Sequence, residues 1–442
     1  MERTKLILVV AVYVAVLLWA YATVISPVFA YNGYNLSWPQ PLEFATILAL
    51  TIAPTAFLPT KLSRPSILIA WWMYVTVYIP SILVPVLSLS MSPAQLMPLQ
   101  TSLLLAMIGL VAVSRANTLI LPRVRVAPIV FWTVVLLLWS GGFVFVAAHF
   151  SLSALLVNLA SLFLGGSEYT IRTEFFEQLS QSGRILGYVT GQIGEAIDPF
   201  FIAYGLAYRR WPLLILGAVG QLMMFAVAGE KSILFSTLFL VLMYFMWEKF
   251  RKHFGIALVT TLTTVIVLSA IVDTGAEGIF ASSVTTRRTL IDPGLLTGFY
   301  HEHYSETARA GIGYHFFQPG TASLAPSYEI GLVYFGDEHI DANANLWAEG
   351  YADFGYAGIG LFTLVLGGMM WMYDSVAART HSELAVLVIA MQAFSFSNSA
   401  PLTTLITHGG LACALLLWCA PSRERADEAM EKWTGETSFS LA

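Results

Sequence analysis

Charge is scarce in this chain: only 11% of its 442 residues are Asp, Glu, Lys or Arg, against 57% hydrophobic, and the mean hydropathy is +0.72. A soluble globule needs a polar coat that this composition cannot supply, so the bilayer must cover most of the surface. Cysteine is nearly absent. Cys413 and Cys419 both fall in the last apolar run, which excludes a disulfide framework or a thiolate zinc centre and leaves packing as their role. There is no block of positive charge, because the net charge is -5 and the cations sit in short clusters between apolar runs; a nucleic-acid-binding face is excluded with it. Internal repeats and low-complexity segments are also missing. The basic start, Met1 to Lys5, precedes an apolar stretch long enough to remain as a first span rather than a cleavable leader.

What the chain has in plenty is apolar runs. A spanning helix needs roughly 20 mostly apolar residues, and such runs lie near 6–25, 42–59, 66–89, 98–114, 127–148, 186–208, 212–228, 232–247, 254–272, 346–372, 384–400 and 402–420. The expectation is an all-α polytopic membrane protein of about 12 transmembrane helices, with 1–420 a single transmembrane domain and 421–442 a charged cytoplasmic tail. Lys and Arg concentrate on the cytoplasmic side of membrane proteins. With Arg3 and Lys5 inside, alternate loops hold Lys61 and Arg64; Arg115, Arg123 and Arg125; Arg209 and Arg210; Lys249, Arg251 and Lys252; Arg379; and Arg423, Arg425 and Lys432, which is 16 of the 22 cations. The other six, Arg172, Arg184, Lys231, Arg287, Arg288 and Arg309, fall outside and need a reason to be there.

Two outer loops are long, at about 149–185 and about 273–345, and long loops usually carry function. The first contains Ser151 to Leu164, whose Leu152, Leu155, Leu156, Leu159 and Leu162 follow helical spacing and predict a helix at or re-entering the outer interface. The second is rich in Tyr, Phe, His, Gly and Pro, which predicts a segment folded against the membrane domain. Each loop also carries an arginine followed by ten residues and a glycine: Arg172 to Gly183 and Arg287 to Gly298.

On these paired loops the chain resembles the Wzy-type O-antigen polymerases, which carry an Arg-x10-Gly motif in their third and fifth periplasmic loops. The stretch from Arg287 and Arg288 through Pro293 to Gly298, the Gly229-Glu230-Lys231 turn, and the run from Asn343 and Asn345 to Phe354-Gly355-Tyr356 extend the likeness over about residues 165–370. The resemblance implies a GT-C-like fold with two large, partly helical periplasmic loops. It implies an inner-membrane glycosyltransferase that moves a growing glycan from undecaprenyl pyrophosphate to a lipid-linked repeat unit, needs no cofactor, and works with a polysaccharide co-polymerase that regulates chain length.

The residue chemistry fits such a reaction. A pyrophosphate leaving group gains charge as the anomeric bond breaks, and fixed guanidinium groups stabilise it. Arginine suits this better than lysine because its planar fork binds phosphate oxygens in pairs and never deprotonates. Arg287, Arg288 and Arg172 are the expected catalytic contacts, with Lys231 and Arg309 binding substrate; headgroup snorkelling, or pairing with Glu174, Glu177 or Asp292, is the structural alternative. A proton acceptor is also required. Glu302 is the candidate among His301, His303, Glu306, His315, Asp337, Glu338, His339 and Asp341, and His301 and His303 are candidate substrate contacts. A zinc site on His301, His303 and His315 lacks a recognised spacing. Asn343 and Asn345 either cap the next helix or contact sugar hydroxyls. Tyr300, Tyr304, Tyr314, Phe316 and Phe317 either stack on sugars or form an interfacial belt. Glu349 and Asp353 share a helical face.

Glu195 and Asp198, inside the sixth run, point elsewhere, since intramembrane carboxylates are functional by default. They would serve a proton-coupled transporter or flippase, or in a polymerase line a water-filled entry for the acceptor or hold a neighbouring helix by hydrogen bonds. An O-antigen ligase, with lipid A core as acceptor, is the nearer alternative.

Overall fold

The computed structural model describes residues 2–122, 124–150, 156–159, 171, 175, 178, 184–275, 278–311 and 324–421. Among them every regular element is helical. In order these are α1 (Glu2–Asn32), α2 (Pro41–Ile52), α3 (Pro65–Ser88), α4 (Pro93–Val113), α5 (Pro128–Ala147), α6 (184–207), α7 (Trp211–Ala228), α8 (Lys231–Phe250), α9 (Phe254–Thr274), α10 (280–306), α11 (Pro326–Phe335), α12 (Leu346–Phe354), α13 (Tyr356–Ala377), α14 (Ser382–Ser395), α15 (Pro401–Ile406) and α16 (Gly410–Cys419). Among the described residues seven stretches are long and apolar enough to cross a bilayer, and one of them, the 43-residue Ser232–Thr274, is broken at Arg251–His253 into α8 and α9. Large apolar side chains such as Leu8, Leu138 and Leu364 stand more than half exposed. Surface of that kind marks a helical membrane protein whose solvent is lipid.

Four helices contain π-wound turns, at Tyr21–Ile25, Met73–Tyr78, Ile193–Ile197 and Ser283–Ile291. Each ends two residues before a proline: Pro27, Pro80, Pro199 and Pro293. The cause is local. Proline lacks an N–H and its ring clashes with the carbonyl one α-turn back, and a widened turn relieves both.

Two of the apolar runs are interrupted. The run 346–372 breaks at Gly355, whose φ of +63° separates α12 from α13, and the run 402–420 breaks at 407–409, with Gly409 at φ +76°. Backbone of this hand favours glycine, so both breaks are written in the residue type.

The chain groups into two compact units, one of 1–117, 249–371 and 393–403, the other of 118–248, 372–392 and 404–442. In the first, α1 lies along α9, and α10 lies along α3. Gly294 and Gly298 make that second contact close, because a Cβ on Gly294 would come within 2.3 Å of the Pro80 carbonyl oxygen and one on Gly298 within 3.0 Å of Leu89. Small residues four apart let helix backbones approach where lipid offers no hydrophobic drive. The folding of the long 273–345 segment against an apolar helix is thus seen for α10. In the second unit α6 packs on α7 through Gly217 and Gly220, and Val146, Leu186, Ile193, Met224 and Val227 share a core. Of the helix expected over Ser151 to Leu164, residues 156–159 are helical; 151–155 and 160–164, like the tail 422–442, lie outside the described residues.

Candidate functional site

The π turn in α10 decides how Arg287 is held. On an α-helix, residues five apart point about 140° away from each other. In π winding the residue five ahead comes underneath, and here the Asp292 N–H donates to the Arg287 carbonyl. The Asp292 carboxylate consequently lies 3.7 Å from Arg287 Nη1. Tyr34, at the end of α1, donates its hydroxyl to Asp292 and accepts from Arg287 Nη1 at 3.3 Å. Ser283 Oγ, one turn back, accepts from Arg287 Nε and Nη2 at 3.2 and 3.1 Å. The Phe29 ring lies 4.5 Å from the guanidinium carbon, close enough for a cation–π contact.

Arg287 is therefore a fixed cation whose side chain is 16% exposed, while the adjacent Arg288 is exposed. Burial pushes the Asp292 carboxyl above its usual range, opposed by Arg287, Tyr34 and Arg288. The structural alternative of an Arg287–Asp292 pair is thus realised. It does not exhaust the guanidinium: of its five N–H donors, those on Nη1 and Nη2 are only partly used among the described residues. The glycine of the motif has a different job. Gly298 lies about 16 Å further along the helix, packed on Pro85 and Leu89.

Beyond Gly298 the candidate residues spread round α10. Tyr300 is buried and donates to the Ala342 carbonyl at 3.2 Å and to Glu349 at 3.3 Å. His301 is buried against the rings of Tyr351 and Tyr356, its Nε2 3.0 Å from the Tyr356 hydroxyl, and among the described residues its Nδ1 finds no partner. Burial, with the Arg309 charge nearby, pushes that imidazole down to about 4, so it is neutral at physiological pH. Glu302 accepts from the Tyr334 hydroxyl at 2.9 Å, and the Tyr334 ring stacks on Phe299 at 4.0 Å. His303 and Tyr304 both reach Glu329 of α11, at 3.0 and 2.8 Å. His301 and His303 therefore face different helices, as residues two apart on a helix must. Among the described residues no three His, Cys, Asp or Glu side chains converge as metal ligands, and His315 lies outside the description.

Asn345 resolves toward capping. It is fully buried, its Oδ1 accepts from the Trp347 and Ala348 N–H groups at 3.0 and 3.3 Å, and its Nδ2 donates to Pro293 O and Thr297 Oγ1 at 3.0 and 2.7 Å. It starts α12 and ties it to α10. Asn343, two residues earlier, is exposed and donates to Asp341 at 2.7 Å. Arg309 is exposed, lies 4.3 Å over the Tyr351 ring and donates to the Tyr351 carbonyl at 3.1 Å. Glu349 and Asp353 are both buried in α12. The first unit so gathers Arg287 and Arg288 at one end of α10, with His301, Arg309 and the α11–α12 contacts at the other.

The remaining candidates lie in the second unit. Arg172 and the side chains of Lys231 and Arg184 are outside the described residues, and Lys231 is placed only as the first residue of α8. Asp198 is fully buried, takes a 2.7 Å hydrogen bond from Trp139 and presses on Gly220, where a Cβ would come within 2.2 Å of its carboxylate. Glu195 pairs with His408 at 2.6 Å. Sequence reasoning missed Phe29, Tyr34, Glu329, Tyr334 and His408, all distant in the chain from the groups they hold; the prolines after the π turns were the readable signal for the first two. No family model matches the chain, and no curated protein and no solved structure matches it either.

Proposed function

We propose that the chain is a Wzy-type glycan polymerase, a GT-C-like enzyme of about 12 crossings with cytoplasmic termini and its chemistry on the periplasmic face of the bacterial inner membrane. The observation that supports this most is the Arg287–Arg288 pair: one guanidinium fixed by Tyr34, Ser283, Asp292 and Phe29, its neighbour exposed. Fixed positive charge with unused donors suits a leaving pyrophosphate, because it needs no reorganisation as negative charge develops. Arg288 meets the diphosphate of the undecaprenyl-linked donor, and Arg287 sets the field. The glycan passes to a hydroxyl of a lipid-linked repeat unit, with Glu302 as the candidate proton acceptor and a chain-length-regulating co-polymerase as partner.

A proton-coupled transporter built on Glu195 and Asp198 is disfavoured, because it calls for cations lining the membrane interior, whereas the extra cations are expected in the outer loops. Deletion with complementation, reading surface polysaccharide by gel, tests the proposal. A polymerase leaves a single capped repeat unit in place of the ladder. A ligase loses all attached glycan, and either that result or an intact ladder overturns the reading.

A further inference from the structure

The second unit holds a polar junction to which the proposed glycosyl-transfer chemistry assigns no step. The π turn of α6, Ile193–Ile197, carries Glu195 at its centre, and it faces the break between α15 and α16, which carries His408. The two irregular segments are fitted together. A Cβ on Gly191 would come within 2.4 Å of the Thr407 carbonyl oxygen, and one on Gly409 within 2.6 Å of Ala196 Cβ. Gln192 Nε2 donates to the Ile406 and Thr407 carbonyls at 2.6 and 3.3 Å. Gln392 Nε2 donates to the His408 carbonyl at 2.8 Å and to the Glu195 carbonyl at 3.2 Å. Two side-chain amides thus satisfy carbonyls that the helix breaks release. Open backbone inside an apolar run is tolerated where protein buries it or where it lines a wet cavity, and π turns and helix breaks recur at functional sites.

His408 Nδ1 lies 2.6 Å from Glu195 Oε1, with the side chains 29% and 13% exposed. A carboxylate on Nδ1 fixes the proton there and turns the Nε2 lone pair outward. Among the described residues no hydrogen-bond partner meets Nε2. Among the described residues the other titratable groups near the junction are Glu230 at the α7–α8 turn, Cys413 of α16 through Gln392, and Tyr373 of α13 beside Gly410.

We infer that Glu195 and His408 form a proton-accepting dyad, in which His408 Nε2 takes a proton from a water or hydroxyl-bearing ligand and Glu195 positions and charge-balances the imidazolium. The O–H bond breaks with its electron pair left on oxygen, the proton ends on Nε2, and the dyad passes from net charge -1 to neutral. This does not rest on the glycosyl-transfer reading.

The test is carbethoxylation of the full chain in proteoliposomes by diethyl pyrocarbonate, followed residue by residue by peptide mass spectrometry across about pH 5 to about pH 9. The exposed His253 and His339 serve as internal references. His408 should react, with a rate that rises through one midpoint, and Glu195→Gln should move that midpoint down by about one unit, a tenfold loss of proton affinity. Glu195→Asp should move it by less and covers the case in which Glu195→Gln fails to accumulate. An unreactive His408 beside reactive His253 and His339, or a midpoint unmoved in the variants, overturns the dyad.

Discussion

Adjacent arginines in this protein have opposite surroundings, and the difference predicts opposite phenotypes. Arg287→Ala removes a cation–π contact and three hydrogen bonds and leaves Asp292 and Tyr34 without their cation. A loss of about 1–3 kcal/mol of stability follows, together with loss of polymer, measured by thermal unfolding in detergent and by gel. Arg288→Ala removes an exposed side chain and should leave unfolding unchanged within about 0.5 kcal/mol while still reducing polymer. His301 gives a pH signature. Its imidazole titrates near 4 in the fold and near 6.5 when unfolded, so stability is complete above about pH 6.5 and falls by up to about 3 kcal/mol as pH drops toward 4. Unfolding of the wild type and His301→Gln between those limits checks it: the variant should lose most of the slope.

The helices with π turns are the elements on which the site depends. Restoring an N–H with Pro293→Ala lets the turn before it return to α winding, which swings Asp292 from beneath Arg287. The expected result is a fall in polymer of roughly tenfold, equivalent to about 1.4 kcal/mol, with protein level maintained. Gly294→Val should instead weaken the α3–α10 contact by about 1–3 kcal/mol by overpacking against the Pro80 carbonyl. Gly360→Ala, where nothing lies within 4 Å, is the silent control. Helix positions were readable because apolar runs are local, and α3, α5, α7 and α9 coincide closely with the expected ones. The interruption at Gly355 was not read, since hydropathy averages across a single glycine. Arg287 and Asp292 were readable as a potential pair, but their stacking was not, because an α-helical ruler keeps residues five apart on different faces. His408 was invisible for another reason: it lies 213 residues from Glu195, and nothing local links them.

At the scale of the molecule, low charge, exposed leucines and long apolar helices suggest a membrane setting, and the six cations that the expected topology puts outside are where its chemistry is proposed to lie. Within the first unit α10 carries that chemistry between its contacts with α3, α11 and α12. The most direct test is reconstitution of the purified chain in proteoliposomes with repeat units linked to undecaprenyl pyrophosphate. Products longer than one unit, free undecaprenyl pyrophosphate released with each transfer, and loss of both in Arg288→Ala are expected. Folded protein that yields no dimeric product, or that transfers glycan only when lipid A core is supplied, would contradict the polymerase proposal.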